Sequence, residues 1–190
     1  MCGRYQFSLD TADERLLAVL ASMERSCPGR FKTGEIFPGD VSPGVIARRG
    51  RIVSVPAMFG FPGFQGGRLL INARSETAAQ KRTFAESLRE RCIILPATGF
   101  YEWSHDAGRQ KYLFTAAGQA PLYLCGIYRV VDGVVRFVIL TREANASMIR
   151  VHTRMPVTVG AHQVRAYLTD PGAAMELILE KAPELEKRAV

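Results

Sequence analysis

A chain of 190 residues, 47% hydrophobic and 23% charged, has the apolar content for one good-sized core and is neither a disordered nor a fibrous composition. No apolar run approaches the roughly 20 residues of a membrane span, no charged-then-apolar start marks secretion, and a net charge of +7 favours polyanionic partners. Cys2, Cys27, Cys92 and Cys125 form no CxxC pair and His105, His152 and His162 stand at no metal-ligand spacing, so we expect no disulfide framework, no metal and a reducing, cytoplasmic location.

The chain starts Met1-Cys2-Gly3-Arg4-Tyr5. Initiator methionine is normally trimmed before a small residue, which would leave Cys2 with a free α-amine beside its thiol. The amine, reference pKa about 7.7–8.0, condenses with aldehydes at neutral pH, and the thiol, reference pKa about 8.5, can then close a five-membered thiazolidine. The plainer alternative is an unstructured terminus that happens to carry a cysteine. Asp10 or Thr11 caps a helix running to about Met23, with Leu16, Leu17, Val19 and Leu20 on its apolar face. Residues 27–44, rich in Gly and Pro, read as one long loop, a length that often serves function. Residues 45–47 and 52–58 form a hairpin turning at Arg49-Gly50. Residues 59–67 (FGFPGFQGG) read as a second loop exposing three phenylalanines.

Residues 69–71 are a short strand delivering Asn72, Arg74 and Glu76 past its end. One or two helices span 75–91, with Phe84 and Leu88 inward. Strands at 92–95 and Gly99–Trp103 flank Pro96, and a turn follows at 105–108. Further strands occupy 111–115, 121–131 and 134–141, the last two joined tightly at Asp132-Gly133. A short helix at 143–150, an extended stretch at 152–159 and helices at 161–168 and 172–179 complete the elements. The charged tail from Glu180 reads as frayed. With no repeat, no linker and no regular βαβ alternation, the expectation is a single α+β domain over residues 2–180 and a tail at 181–190.

Three stretches carry further chemistry. In Gly99-Phe100-Tyr101-Glu102-Trp103, strand alternation puts Phe100, Glu102 and Ser104 on one face; an apolar setting suits a carboxylate to proton transfer, whereas a solvent-facing strand would leave it idle. In Val151-His152-Thr153-Arg154-Met155-Pro156, a proton shuttle and a phosphate-gripping arginine point the same way if extended; the alternative is a structural histidine. In Ile71-Asn72-Ala73-Arg74-Ser75-Glu76, Asn72 can both donate to and accept from a substrate oxygen or the terminal amine, or simply cap the next helix. Arg48, Arg49, Arg51, Lys81, Arg82, Arg89, Arg91, Arg109 and Lys111 are either phosphate contacts or solvated surface. Phe59 and Phe61 could stack on bases or belong to the core.

MCGRY, INARSET, GFYEW and HTRMPV, in this order and over this length, resemble the SRAP family (SOS response-associated peptidase domain) from Cys2 to about Leu168. Four separate motifs agree, which makes the resemblance specific. It implies a mostly antiparallel, barrel-like core with flanking helices, no cofactor, and a cytoplasmic monomer, nucleoid-associated if bacterial. It also implies a sensor of abasic sites in single-stranded DNA that forms a thiazolidine DNA–protein crosslink, with autoproteolytic removal of Met1 and abasic-site lyase activity. Carried over by position, Cys2 would be the nucleophile and Asn72 would orient the amine and the sugar. Glu102 would be the acid/base, and His152 would assist opening of the sugar ring. Arg4, Arg74 and Arg154 would contact phosphates, Arg82 and Thr141 the backbone, and the loop containing Pro43 would line the DNA channel. Phe59 replaces the family's usual Trp and would wedge or stack with less area, and Thr153 replaces an aspartate. Two other classes compete. An N-terminal-nucleophile cysteine hydrolase, like the glutamine amidotransferases that also begin Met-Cys-Gly, would use the amine as general base but leaves INAR, YEW and HTRMP unexplained. A non-covalent single-strand binding module explains the charge but leaves Cys2, Glu102 and His152 idle.

Overall fold

In chain order the elements are β1 (Arg4–Phe7), α1 (Glu14–Ser26), β2 (Gly34–Ile36), β3 (Val41–Arg48), β4 (Arg51–Phe59), β5 (Phe61–Pro62), β6 (Leu69–Leu70), β7 (Asn72–Arg74), α2 (Ser75–Ala78) and α3 (Ala85–Glu90). They continue with β8 (Cys92–Ala97), β9 (Gly99–Trp103), β10 (Lys111–Ala116), β11 (Leu122–Val131), β12 (Val134–Glu143), β13 (Arg154–Pro156), β14 (Thr158–Val159), α4 (Val164–Thr169), α5 (Pro171–Leu177) and β15 (Leu185–Ala189). The structure, a computed structural model, describes residues 3–8, 13–63, 67–105 and 108–190, apart from the side chain of Gln119. The α+β class, the mostly antiparallel pairing and the flanking helices are as the sequence implied.

Two sheets hold the molecule together. One is five-stranded, ordered β15-β10-β9-β1-β2. In the other, β12, β4, β3, β8 and β11 close into a ring, because β12 pairs with both β4 and β11. Only the pairings of β12 with β4 and β7 in that sheet are parallel. β12 can sit at the centre because Phe137, Val138, Ile139 and Leu140 are all fully buried: both faces of this strand meet apolar neighbours. Tyr5, Phe59 and Phe137 form an aromatic cluster between the sheets, and α3, α4 and α5 pack on a second apolar group on the other side of the ring.

Several expectations need correction. Residues 27–44 are not one loop: β2 and the first half of β3 lie within them. Pro43 stands opposite Pro56, so the two missing N–H groups fall at the same rung, and Gly44 lets β3 approach β8, since a Cβ there would lie 2.7 Å from Ile93 Cδ1. α1 is capped by Asp13, whose carboxylate accepts from the N–H groups of Arg15 and Leu16 at 2.9 and 3.2 Å; Asp10 and Thr11 lie outside the described residues. Its buried face is Leu16, Leu20 and Met23, while Leu17 turns outward. Pro96 continues β8 rather than ending it. The expected helix at 143–150 is absent: Glu143 closes β12 and residues 146–150 form turns, with the Asn145 side chain accepting from the Ser147 N–H at 3.1 Å. The stretch after Glu180 is not frayed throughout. Leu185–Ala189 pairs along β10, and its outward charges gave it the look of a tail.

The two tight hairpins are as expected. Arg49-Gly50 and Asp132-Gly133 take successive positive φ values of 50° and 74°, and 50° and 77°. No helix among the described residues is long and apolar enough to cross a membrane.

Candidate active site

The C-terminal end of β12 assembles the site. Thr141 pairs with Arg74 of β7 on one edge and with Pro156 of β13 on the other, so INARSE and HTRMP are laid on either side of one strand. A clamp locks the two together. Arg154 donates from its two terminal nitrogens to the two carboxylate oxygens of Glu76 at 2.7 and 2.8 Å, and to the Thr141 carbonyl at 2.6 Å. The hydrogen bonds from Arg154 hold the Glu76 carboxyl below its ordinary value, against the opposing effect of partial burial. Arg154 is therefore engaged within the protein rather than presented to a phosphate.

Glu76→Gln should lower stability by about 1–2 kcal/mol, between the limits for exposed and buried pairs. Because the folded-state pKa of Glu76 is depressed, its contribution is complete above the unfolded value and is lost as pH falls through the folded one. The stability difference between Glu76→Gln and the unaltered protein, measured by urea unfolding, should thus shrink below about pH 4.5.

His152 stands just before β13. Its Nδ1 accepts the backbone N–H of Arg154 at 2.9 Å, which leaves the ring hydrogen on Nε2. Its ring centroid is 5.0 Å from that of His105, at the end of β9. Burial lowers the pKa of His152; the negative charge of Glu102 works in the opposite direction, and His105 adds to the lowering. His152 is therefore neutral at neutral pH and within the field of Glu102, which comes from the other sheet.

Glu102 is only 6% exposed. It shares its face of β9 with the buried Phe100 and Ser104 and lies across from Tyr112 of β10, and its Oε1 accepts from the Trp103 N–H at 3.4 Å. The solvent-facing alternative is thereby removed. On its other edge β9 pairs with β1, with Tyr101 opposite Arg4, so the strand that follows Cys2 by two residues runs beside Glu102. Cys2 itself lies outside the described residues. Cys92 and Cys125 are buried, and burial pushes the Cys92 thiol up to about 11 and the Cys125 thiol well up, which suits packing and not nucleophilic chemistry.

Asn72 is half-buried on β7 and donates from Nδ2 to the Ile71 carbonyl at 3.0 Å. It does not cap α2, whose N-cap is Arg74 without a side-chain bond. Arg74 and Arg82 are exposed. Arg4 lies between the rings of Phe37 and Trp103, at 4.4 and 4.8 Å, and donates to Glu35 at 3.3 Å; Lys111 shares Glu35 and covers Tyr101 at 4.0 Å.

Three proposed DNA contacts are corrected by burial. Phe59 is fully buried and stacked on Phe137 at 4.9 Å, so it is a core residue with no face for a base. Pro43 is buried in β3 rather than lining a loop. Thr141 is fully buried, its hydroxyl turned toward the Ala73 carbonyl and Arg154. Sequence reasoning missed Glu35 and Phe37, hidden in the presumed loop, and the buried hydroxyl pair of Tyr5 and Ser42. Among the described residues no group of three or more His, Cys, Asp or Glu side chains could hold a metal.

The profile of the SOS response associated peptidase (SRAP) family matches residues 1–190. The chain is 27% identical over 180 residues to the abasic site processing protein YedK of Escherichia coli, covering 88% of this chain and 79% of that protein. It is 30% identical over 136 residues to the abasic site processing protein YoaM of Bacillus subtilis, covering 60% of this chain and 55% of that one. Two crystal structures of Bordetella bronchiseptica proteins share the fold. One superposes with a TM-score of 0.76 at 22% identity, covering 100% of this chain and 99% of the other. The second, a phage-related protein, gives 0.74 at 24% identity, covering 100% and 94%.

Proposed function

Because the chain belongs to the SRAP family, we propose that it captures abasic sites in single-stranded DNA covalently, as a thiazolidine formed by Cys2 after loss of Met1. The observation that carries this reading is the meeting of Glu102 and His152, from different sheets, beside the strand that follows Cys2. The relatives named abasic site processing proteins support the choice of substrate.

An abasic deoxyribose is a cyclic hemiacetal. To expose its aldehyde, the C1′ hydroxyl must lose a proton and the ring oxygen must gain one. Glu102 takes the first and passes it to the ring oxygen as the bond to C1′ breaks, while the Nε2–H of His152 hydrogen-bonds that oxygen. The Cys2 amine then adds to the aldehyde, one of its protons passing to the new alkoxide, and the carbinolamine loses water as Glu102 carries the remaining nitrogen proton to the leaving hydroxyl, to give an imine. The thiol adds to the imine carbon as its proton passes to nitrogen. One water is lost overall, and the ring closes. Asn72, able to donate and accept, orients the amine and the sugar. The exposed Arg74 and Arg82 hold phosphates, and Arg4 does so when it exchanges Glu35 for one. An imine left open eliminates the 3′ phosphate, which is lyase chemistry; ring closure by the thiol removes the imine before that happens. Peptidase-type removal of Met1 frees the amine and is the first step of the same cycle.

Single-stranded DNA with one abasic site, incubated with the protein, should give a shifted band on a denaturing gel. Its mass should equal protein without Met1, plus DNA, minus one water. An unshifted band from protein shown to have lost Met1 would end the covalent reading. The rate of capture should rise with pH as the α-amine, near 7.7–8.0, deprotonates. It should fall off at low pH, below the ordinary histidine value, where a proton taken up on Nδ1 of His152 displaces the Arg154 N–H that holds the ring in place. His152→Gln can still donate but lacks the fixed ring and the titration, so it should slow capture by up to about tenfold, the worth of one ordinary hydrogen bond, and lose the histidine limb of the pH profile. An unchanged limb in that variant would take His152 out of the mechanism.

A further inference from the structure

The β3–β4 hairpin carries a feature that the capture site does not use. Its tip is Arg48-Arg49-Gly50-Arg51, with Arg48 paired to Arg51, and all four residues are exposed. None of the three arginines has an ion-pair partner among the described residues. Nearby cations differ: Arg91, which immediately precedes β8 alongside β3, is paired with Glu86 at 2.9 Å. Like charges crowded on one two-stranded tip repel each other, and here no carboxylate offsets them.

The backbone makes the same point independently. Among the described residues are two matching X-Gly hairpin turns, at Arg49-Gly50 and Asp132-Gly133. Asp132 is a residue that tolerates positive φ, with a short side chain that can bond locally. Arg49, at φ 50°, has neither advantage, and Asn, Asp or Gly would fit that position with less strain. Packing does not explain the arginine either, since its side chain is in solvent. A guanidinium is therefore held at a strained position, on a stiff arm, between two others.

The hairpin is remote from the capture site. β4 runs parallel to β12, pairing at Phe59 and Phe137, and the site lies at the far end of β12. Arg51 is separated from Thr141 by roughly 40 Å of strand path. We propose that the Arg48–Arg51 tip is a second nucleic-acid contact, gripping the phosphate backbone of the captured strand well away from the lesion. Guanidinium forks suit phosphate oxygens, and a contact made only to the backbone is indifferent to sequence. This rests on the reading that DNA is the ligand and extends it from the lesion to the flanking strand.

The test uses full-length protein and non-covalent binding to undamaged single strands, so that capture chemistry does not enter. A triple variant (Arg48→Ala, Arg49→Gly, Arg51→Ala) is compared with the unaltered protein over a salt series. Arg49→Gly relieves the positive φ, so the variant should fold at least as well. Each lost phosphate contact lowers the slope of log affinity against log salt by about 0.7 for single strands, so the slope should fall by about 2 on a strand of about 30 nucleotides. On a strand of about 5 nucleotides, too short to reach the tip, the slopes should agree. A matching triple lysine variant should keep most of the slope. Equal slopes on the long strand would overturn the proposal and leave the tip as solvated surface. A slope lost equally on both strands would also overturn it, since the contact would then belong to the stretch of strand held at the capture site. Capture of an abasic 5-nucleotide strand by the unaltered protein tests the chemistry of the site separately, so failure there is distinguishable from failure of the hairpin.

Discussion

Cys2→Ala should give no durable crosslink at all, yet it should still react. Alanine at position 2 permits loss of Met1 and keeps the α-amine, so the imine can form; what is lost is the thiol that closes the ring. Incubation with abasic single-stranded DNA followed by denaturing electrophoresis should show no heat-stable shifted band. Borohydride, which reduces an imine to an amine, should restore a shifted band. Without reductant, the persistent imine should eliminate the 3′ phosphate, and the variant should cut more DNA than the unaltered protein. Salt-sensitive binding should remain, because the arginines are untouched. A durable crosslink from Cys2→Ala would mean that another nucleophile does the work. Cys92 and Cys125 are no ready substitutes, since their thiols are buried and hard to ionise, which leaves Cys27, half-buried after α1, as the described cysteine to test next.

Glu102→Gln should slow capture by about 10²–10⁴-fold, the usual contribution of a positioned acid/base. Glutamine has nearly the same shape, and the Glu102 oxygen that accepts from Trp103 has a counterpart in the amide, so the strand should hold. The carboxylate relays a proton in ring opening and again in dehydration, and an amide does neither. Microscopic reversibility makes the test sharper. If Glu102 only moves protons, formation and reversal must slow by the same factor, and the final yield at long times must not change. Rate constants at saturating DNA in both directions, with the salt dependence of binding as a control, decide the matter. Rates within threefold of the unaltered protein would remove Glu102 from the chemistry. A large fall in yield with little change in rate would make it a binding residue instead.

The order and spacing of the motifs were legible in the sequence because each is a short local pattern whose residue types are costly to explain otherwise. Alternation with Phe100 pointed to an inward side for Glu102 without deciding it, and the Asp132-Gly133 and Arg49-Gly50 hairpins followed from turn chemistry. Burial of β3 was not legible. Pro43 and Gly44 look like loop residues in any local window, and only the opposing Pro56 and the close approach of Ile93 turn them into strand residues. Phe59 misled for the same reason. Its neighbours Gly60, Pro62 and Gly63 suggest an exposed loop, but its ring is taken up by Phe137, 78 positions further on.

The sequence by itself determined the chemical inventory: an aminothiol once Met1 is lost, a carboxylate among aromatics, a histidine two residues from an arginine, and an excess of positive charge. It also determined the α+β class, because apolar periods of strand and helix alternate without a βαβ rhythm. What only the tertiary structure decided is which cations are available. Arg154 and Arg74 are indistinguishable as sequence, yet one is locked to Glu76 and the Thr141 carbonyl while the other faces solvent. The reason is that an ion pair depends on distance in space, and the contact between Glu76 and Arg154 exists only because β12 lies between β7, which leads into the α2 turn of Glu76, and β13, which carries Arg154.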